Sequence, residues 1–240
     1  MIIPNWNAPE NVRAISTTRA GGFSIGVYQG LNLGNHVGDE SEVVLQNRQE
    51  VVKLANMPSS PIWLNQTHSN VVLSASEPLN AVQDADACFT ETNGVVCSAM
   101  TADCLPILLT NDLGTQVAAV HAGWRGLANG IVENAVAKFT EGQIMAWVGP
   151  AISQSAFEVG DDVVNAFIQH DSQAISAFEE KPQPGKWLAN MTLLVEQRLN
   201  SVGVTNVTQS GLCTFKDDEQ FYSYRRDGIT GRQASFIWLD

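Results

Sequence analysis

Cys104 and His121 are the two side chains whose placement in this sequence first suggests chemistry. Between them, apolar and β-branched residues run from Leu105 to Leu109 and again from Gln116 to Val120, on either side of Asn111-Asp112-Leu113-Gly114, a run with turn chemistry. The pattern predicts a β-hairpin. Pairing Thr110 with Thr115 sets Cys104 directly opposite His121, with Cβ atoms roughly 4.5–5.5 Å apart on one face. A slip of one residue would send one of the two to the other face. A thiolate and an imidazole that close can share a metal ion, or the imidazole can deprotonate the thiol for nucleophilic attack. His68, at the end of a strand-like run from Ile62 to Gln66, offers a third donor. One thiolate, two imidazoles and an open fourth position make one form of catalytic zinc site. No local spacing ties His68 to the other two, so the residues alone leave three readings open: a metal site, a thiol dyad, and a buried thiol beside two satisfied histidines.

Four further residues suggest an anion. Arg19-Ala-Gly-Gly-Phe-Ser24 is a glycine turn that exposes backbone N–H groups beside an arginine and a serine. Arg48 lies within a helix expected from Ser41 to Ala55, and Arg125 lies between two glycines just before a helix expected from Leu127 to Phe139. Arg19, Ser24, Arg48 and Arg125 are therefore the candidates for holding an anion. Asp103 precedes the thiol and is the nearest acid that could move a proton, although a regular strand points it away from Cys104. Asp84 and Asp86 read as turn formers. His170, at a helix end, needs no chemistry.

The elements that must position these groups mix strands and helices without regular βαβ alternation. Strands are expected at Val12 to Thr18, Ile144 to Val148, Val204 to Thr208 and Ala234 to Trp238, and helices at Asp161 to Gln169 and Asn190 to Ser201, with Lys181 to Lys186 as a turn or loop between these helices. Mixed sheets with helices packed outside follow, an α+β fold within one domain, residues 1–240. A chain of 240 residues with 44% hydrophobic content can bury a sizeable core. Its net charge of −12 argues against a nucleic-acid partner or an anionic membrane surface, and an anionic small molecule would need a local basic pocket. No apolar run reaches the roughly 18 residues of a membrane helix, and the start, MIIPNWNAPE, lacks a basic signal region, so a cytoplasmic location is expected. Four cysteines in such a chain are expected as thiols or ligands, not bridges. Oligomeric state is not legible.

Taken together, Asn65-Gln-Thr-His68-Ser, Thr101-Ala-Asp103-Cys104-Leu-Pro, Val120-His121-Ala-Gly-Trp-Arg125-Gly and Phe221-Tyr-Ser-Tyr-Arg225-Arg226-Asp resemble the YfiH-like (FAMIN-like) family. The resemblance extends from Thr17-Thr18-Arg19-Ala-Gly-Gly-Phe-Ser24 to Gly231-Arg-Gln-Ala. It implies a layered α/β/β/α fold and a zinc-binding set falling on His68, Cys104 and His121. The activities it implies are phosphorolysis of adenosine, inosine, guanosine and 5′-methylthioadenosine and deamination of adenosine. In the reading that the resemblance implies, phosphate is the anion that Arg19, Ser24, Arg48 and Arg125 would hold. Polyphenol oxidase (laccase) activity is the other label the family has carried. Four histidines cannot ligate a blue-copper centre plus a three-copper cluster; a single copper, with Met100 as weak axial ligand, would be the most an oxidase reading allows. The competing enzyme class is a Cys104–His121 amidohydrolase that edits peptidoglycan precursors, and a non-enzymatic alternative is a metal-buffering or partner-binding protein.

Overall fold

A computed structural model describes residues 1–79 and 81–240. In chain order the strands are β1 (Val12–Ser16), β2 (Leu64–Asn65), β3 (Val72–Ser74), β4 (Gln83–Asp84), β5 (Ala87–Thr90), β6 (Cys97–Thr101), β7 (Leu105–Asn111), β8 (Val117–Ala122), β9 (Ile144–Val148), β10 (Glu158–Gly160), β11 (Phe178–Glu180), β12 (Lys186–Ala189), β13 (Asn206–Gln209) and β14 (Gln233–Leu239). The helices are α1 (Ser41–Leu54), α2 (Trp124–Ala128), α3 (Ile131–Val136), α4 (Asp161–Ile168), α5 (Met191–Ser201) and α6 (Tyr224–Asp227). Six strands form a mixed sheet in the order β13-β9-β7-β8-β5-β3, and β1-β14-β6 form an antiparallel one.

Side-chain alternation sorts these sheets into layers. Leu105, Ile107 and Leu109 of β7 and Ala118, Val120 and Ala122 of β8 pack under α2, α3, α4 and α5. The opposite face, with Cys88, Leu108, Ala119 and Trp147, meets Cys97, Ala99 and Ile237 of the smaller sheet. That sheet's outer face, with Val96, Met100 and Phe236, packs against Leu31, Leu33 and Val51 of α1. The order is α/β/β/α. Strands covered on both faces read as continuous apolar runs, and β6, β7, β8 and β14 are buried along their whole length. Cys88 and Cys97 meet between the sheets as free thiols, sulfurs 3.3 Å apart.

Three expectations need correction. The helix expected from Leu127 to Phe139 is two short helices, because Gly130 takes φ +89°, which no continuing helix accommodates. The Lys181 to Lys186 turn, closed by Lys186 N donating to Gln183 O at 3.2 Å, does not join helices directly but connects β11 to β12, which form a small antiparallel sheet with β10. The hairpin pairs Thr110 with Val117 and Pro106 with His121, two residues away from the expected register. The Asn111 side chain is the reason. Its Oδ1 accepts from Thr115 N at 2.9 Å while Gly114 N donates to Asn111 O at 3.1 Å, so Thr115 and Gln116 belong to the turn. Cys104 thus lies before the strand, diagonal to His121. A displacement of two preserves the face.

Candidate metal centre and its cavity

The hairpin's face toward the smaller sheet carries His121, and the β6–β7 turn brings Cys104 to the same end of the sandwich. His68 arrives from the loop between β2 and β3. One donor atom from each of the three lies within 4.8 Å of the others, and His68 Nε2 stands 3.8 Å from the Cys104 sulfur. The two imidazoles meet edge to face, centroids 4.9 Å apart. Gly123 leaves room for this approach: a Cβ there would sit 2.4 Å from His68 Cδ2 and 3.2 Å from the Cys104 sulfur. These residues could hold a metal ion.

Two left-handed backbone positions set the donors. His68 has φ +60° and Asp103, immediately before Cys104, has φ +93°, conformations that cost a non-glycine residue about 1–3 kcal/mol. An aspartate holds each. Asp86 accepts from the backbone N–H groups of Thr67, His68 and Ser69 at 3.2, 3.0 and 2.6 Å, and from Ser69 Oγ at 2.7 Å. It also accepts from His121 Nδ1 at 2.8 Å, which leaves Nε2 as the free donor atom. Asp103 accepts from Thr214 Oγ1 at 2.7 Å, Ser223 Oγ at 2.9 Å and the Arg225 N–H at 2.7 Å. Its oxygens are thus turned to the C-terminal segment, not to Cys104.

The electrostatics favour a thiolate donor. Burial opposes ionisation of Cys104, but the His121 charge and hydrogen bonds from His121 and His68 bring the thiol down to about 6. Burial likewise opposes the His121 cation, yet the Cys104 thiolate and Asp86 raise it to about 9. Asp86 itself, despite burial, is brought down to about 2 by His121 and Ser69. A thiolate and imidazole pair of opposite charge is what a metal ion can replace, by displacing the shared proton.

The donors open into a cavity of about 500 Å³ lined also by His36, Gln66, Arg125, Tyr224 and Arg232. Arg125 lies 4.2 Å over the Trp124 ring, and Arg232 donates to the carbonyls of Thr230 and Gly231. Among the described residues, neither makes an ion pair with a carboxylate, whereas Arg13, Arg198 and Arg226 do. Burial and the neighbouring Arg232, Arg48 and His121 lower the pKa of His36.

The other anion candidates fall elsewhere. Arg48 does not line this cavity; it donates to Leu33 O at 2.9 and 2.8 Å, stacks 4.0 Å over Trp63 and sends a long contact of 3.8 Å to the Met100 sulfur. Arg19 and Ser24 line a separate cavity of about 800 Å³ that shares no residue with the first. Arg19 is tied to the carbonyls of Asp218 and Gln29, and Ser24 to Asp39 and Asn47. Sequence reasoning missed Asp86, read as a turn former, Arg232, whose motif was noted without a role, and His36. Only folding shows which cavity such a loop faces.

A layered α+β fold with a Cys-His-His cluster at one end of its sandwich defines a protein that could hold a metal ion there. The chain belongs to the family described as multi-copper polyphenol oxidoreductase laccase, matched over residues 13–240. It is 47% identical over 241 residues, covering 100% of this chain and 98% of the relative, to a protein named purine nucleoside phosphorylase YfiH from Escherichia coli. Purine nucleoside phosphorylase of Haemophilus influenzae is 46% identical, with coverage of 100% and 99%. The crystal structure of Neisseria meningitidis protein NMB0706 matches with a TM-score of 0.96 at 48% identity, covering 100% of this chain and 98% of the other. YlmD from Geobacillus stearothermophilus matches at 0.87 and 27%, with 100% and 99% coverage.

Proposed function

We propose that this protein is a zinc-dependent purine nucleoside phosphorylase acting on inosine, adenosine, guanosine and 5′-methylthioadenosine, with adenosine deamination as a second activity. The observation that carries this reading is the meeting, in one cavity, of the His68, Cys104 and His121 donors with Arg125 and Arg232, neither of which forms a salt bridge among the described residues. One thiolate and two imidazoles suit zinc, which when bound supplies a Lewis acid with an open position. The chain's own residues do the rest. In a protein of net charge −12, two arginines lining one cavity concentrate a dianion locally, which both neutralises the positive charge developing at the ribose C1′ and supplies the attacking oxygen. Asp86 keeps His121 in the tautomer that presents Nε2. Asp103 acts as a positioning residue for Cys104 and α6. The names of the relatives support the reaction class.

Base release from inosine at varied phosphate, with ribose 1-phosphate quantified, tests this. Arg125→Lys is expected to raise the phosphate KM roughly 10-fold, since the loss of a charged hydrogen bond is worth about 1.5–3 kcal/mol. Free ribose as product, or a rate indifferent to phosphate, would replace phosphorolysis by hydrolysis. Cys104→Ala is expected to lose the metal by elemental analysis while its circular dichroism stays native.

One further observation favours a second reading: Cys104, His121 and Asp86 are arranged as nucleophile, base and orienting acid, with the thiol poised near 6. A thiol hydrolase would keep its activity through chelation and lose it to iodoacetamide; the zinc enzyme behaves in the opposite way towards chelator.

A further inference from the structure

Two nucleophilic side chains lie outside the metal centre and touch each other. Cys88 of β5 and Cys97 of β6 belong to different sheets and meet between them, both 0% exposed, their sulfurs 3.3 Å apart with the Cys97 thiol donating to Cys88. Residues 91–96 join the two strands, so the chain passes from one sheet to the other over a short link and brings the pair together beside that corner. Small neighbours let the sulfurs approach: Ala119 pairs with Cys88 between β5 and β8, and Ala99 lies two residues beyond Cys97 on the same face of β6. A buried cysteine is commonly a small apolar filler, but filling does not require sulfur contact. Nor is the pair a metal site, because among the described residues no histidine, carboxylate or third cysteine joins it in a group that could hold an ion. The chemistry left to two thiols in contact is to couple with each other.

We infer that Cys88 and Cys97 form an oxidation site, a thiol pair that a hydroperoxide closes into a disulfide clamp between the two sheets. One sulfur attacks an oxygen of hydrogen peroxide, the O–O bond breaks, and a sulfenic acid and water form. The second sulfur then attacks the first, the S–O bond breaks as the S–S bond forms, and the hydroxyl leaves as water with the second thiol's proton. Two thiols and one hydrogen peroxide become one disulfide and two waters, the sulfurs giving up the two electrons that the peroxide takes. The sulfurs need only close from 3.3 Å to about 2.05 Å. Burial and the neighbouring Cys88 hold the Cys97 thiol well above its ordinary pKa, so the reaction is slow, and a water-sized oxidant enters where a bulky one does not. The clamp's place gives it a consequence. Cys88 comes two residues after Asp86, whose carboxylate holds His68 and His121, and β6 leads from Cys97 towards the turn that carries Cys104. A bond there ties together the two segments on which the metal donors depend.

The test treats the full-length protein with hydrogen peroxide, once in buffer and once in urea, caps the remaining thiols and maps the linkage by mass spectrometry. Cleavage after Glu91 and before Asp103 puts Cys88, Cys97 and Cys104 on three peptides, so each pairing has its own mass. Along the chain Cys97 is nearer to Cys104 than to Cys88, so an unfolded chain has no preference for the proposed pair. In buffer, Cys88 linked to Cys97 is expected to exceed any other pairing by roughly 10-fold, a preference that urea removes because loop closure alone favours the pairings about equally. The linked protein is expected to melt roughly 5–10 °C above Cys88→Ala treated in the same way, the scale for closing a loop of about ten residues in a chain of this size, and dithiothreitol should reverse the gain. Cys97→Ala replaces Cys88→Ala as the control should the latter fail to fold. No Cys88–Cys97 linkage in folded protein at a peroxide dose that oxidises the partly exposed Cys213 overturns the inference. So does the same mixture of pairings in buffer and urea, or a linked protein that melts no higher than the control.

Discussion

Asp86 is the residue on which the metal centre turns, since its buried carboxylate collects the N–H groups of Thr67, His68 and Ser69, the Ser69 hydroxyl and the His121 ring. Breaking such a network from one side leaves its donors unpaired, so Asp86→Asn is expected to cost about 3–5 kcal/mol in urea unfolding and to weaken zinc binding by roughly 10–100-fold. The pH dependence has a defined sign. A carboxyl held at about 2 in the fold and near 4 when unfolded stabilises the protein fully above pH 4 and loses that contribution as pH falls towards 2. The metal-free wild type should therefore lose stability between pH 4 and 2 more steeply than Asp86→Asn. Parallel curves for the two would show that the carboxylate is not the group protecting the site.

At the scale of elements, Cys104 stands just before β7 and His121 lies on β8, and Gly123 joins this hairpin to the short α2 that follows. An added methyl has no space there, with the His68 ring 2.4 Å away. Its φ of −70° is one any residue adopts, so Gly123→Ala acts through this contact alone and not through backbone strain. Gly123→Ala is expected to fold, with native far-ultraviolet circular dichroism, and to retain less than about a tenth of the wild-type metal, as expected for a displaced ligand. Full metal occupancy in this variant would mean that His68 is not a ligand.

At the scale of the whole molecule, the four layers bury nearly everything between the sheets and leave chemistry to the sandwich's end. The chain's four histidines do not all gather there: His68 and His121 are donors and His36 lines the same cavity, but His170 follows α4. Two imidazoles and a thiolate cannot build a multi-copper cluster. With a phenolic substrate, oxygen uptake is expected to be weak, to need added copper and to accompany no more than one copper per chain. Rapid reduction of dioxygen to water with several coppers bound would refute this.

The face shared by Cys104 and His121 was legible in the sequence because it depends only on the parity of a local hairpin, and parity survived a register displaced by two residues. The same holds for α1, α4 and α5, whose periodicity is local, and for the covered strands, whose continuous apolar runs reflect burial on both faces. His68 was offered as a third donor by its place at a strand end, and only the resemblance tied it to the other two, because no spacing rule reaches from residue 68 to 104. What tertiary structure alone decided is which loops face which cavity. Arg19 and Ser24 sit in a motif as suited to an anion as that of Arg125, yet they open onto a different cavity, while Arg232 and Asp86 reach the metal centre from distant parts of the chain. The physical reason is that local sequence sets backbone dihedrals, turn chemistry and the face a side chain takes. The cavity it enters is set by how separate layers pack, and that depends on the summed shape of residues far apart along the chain.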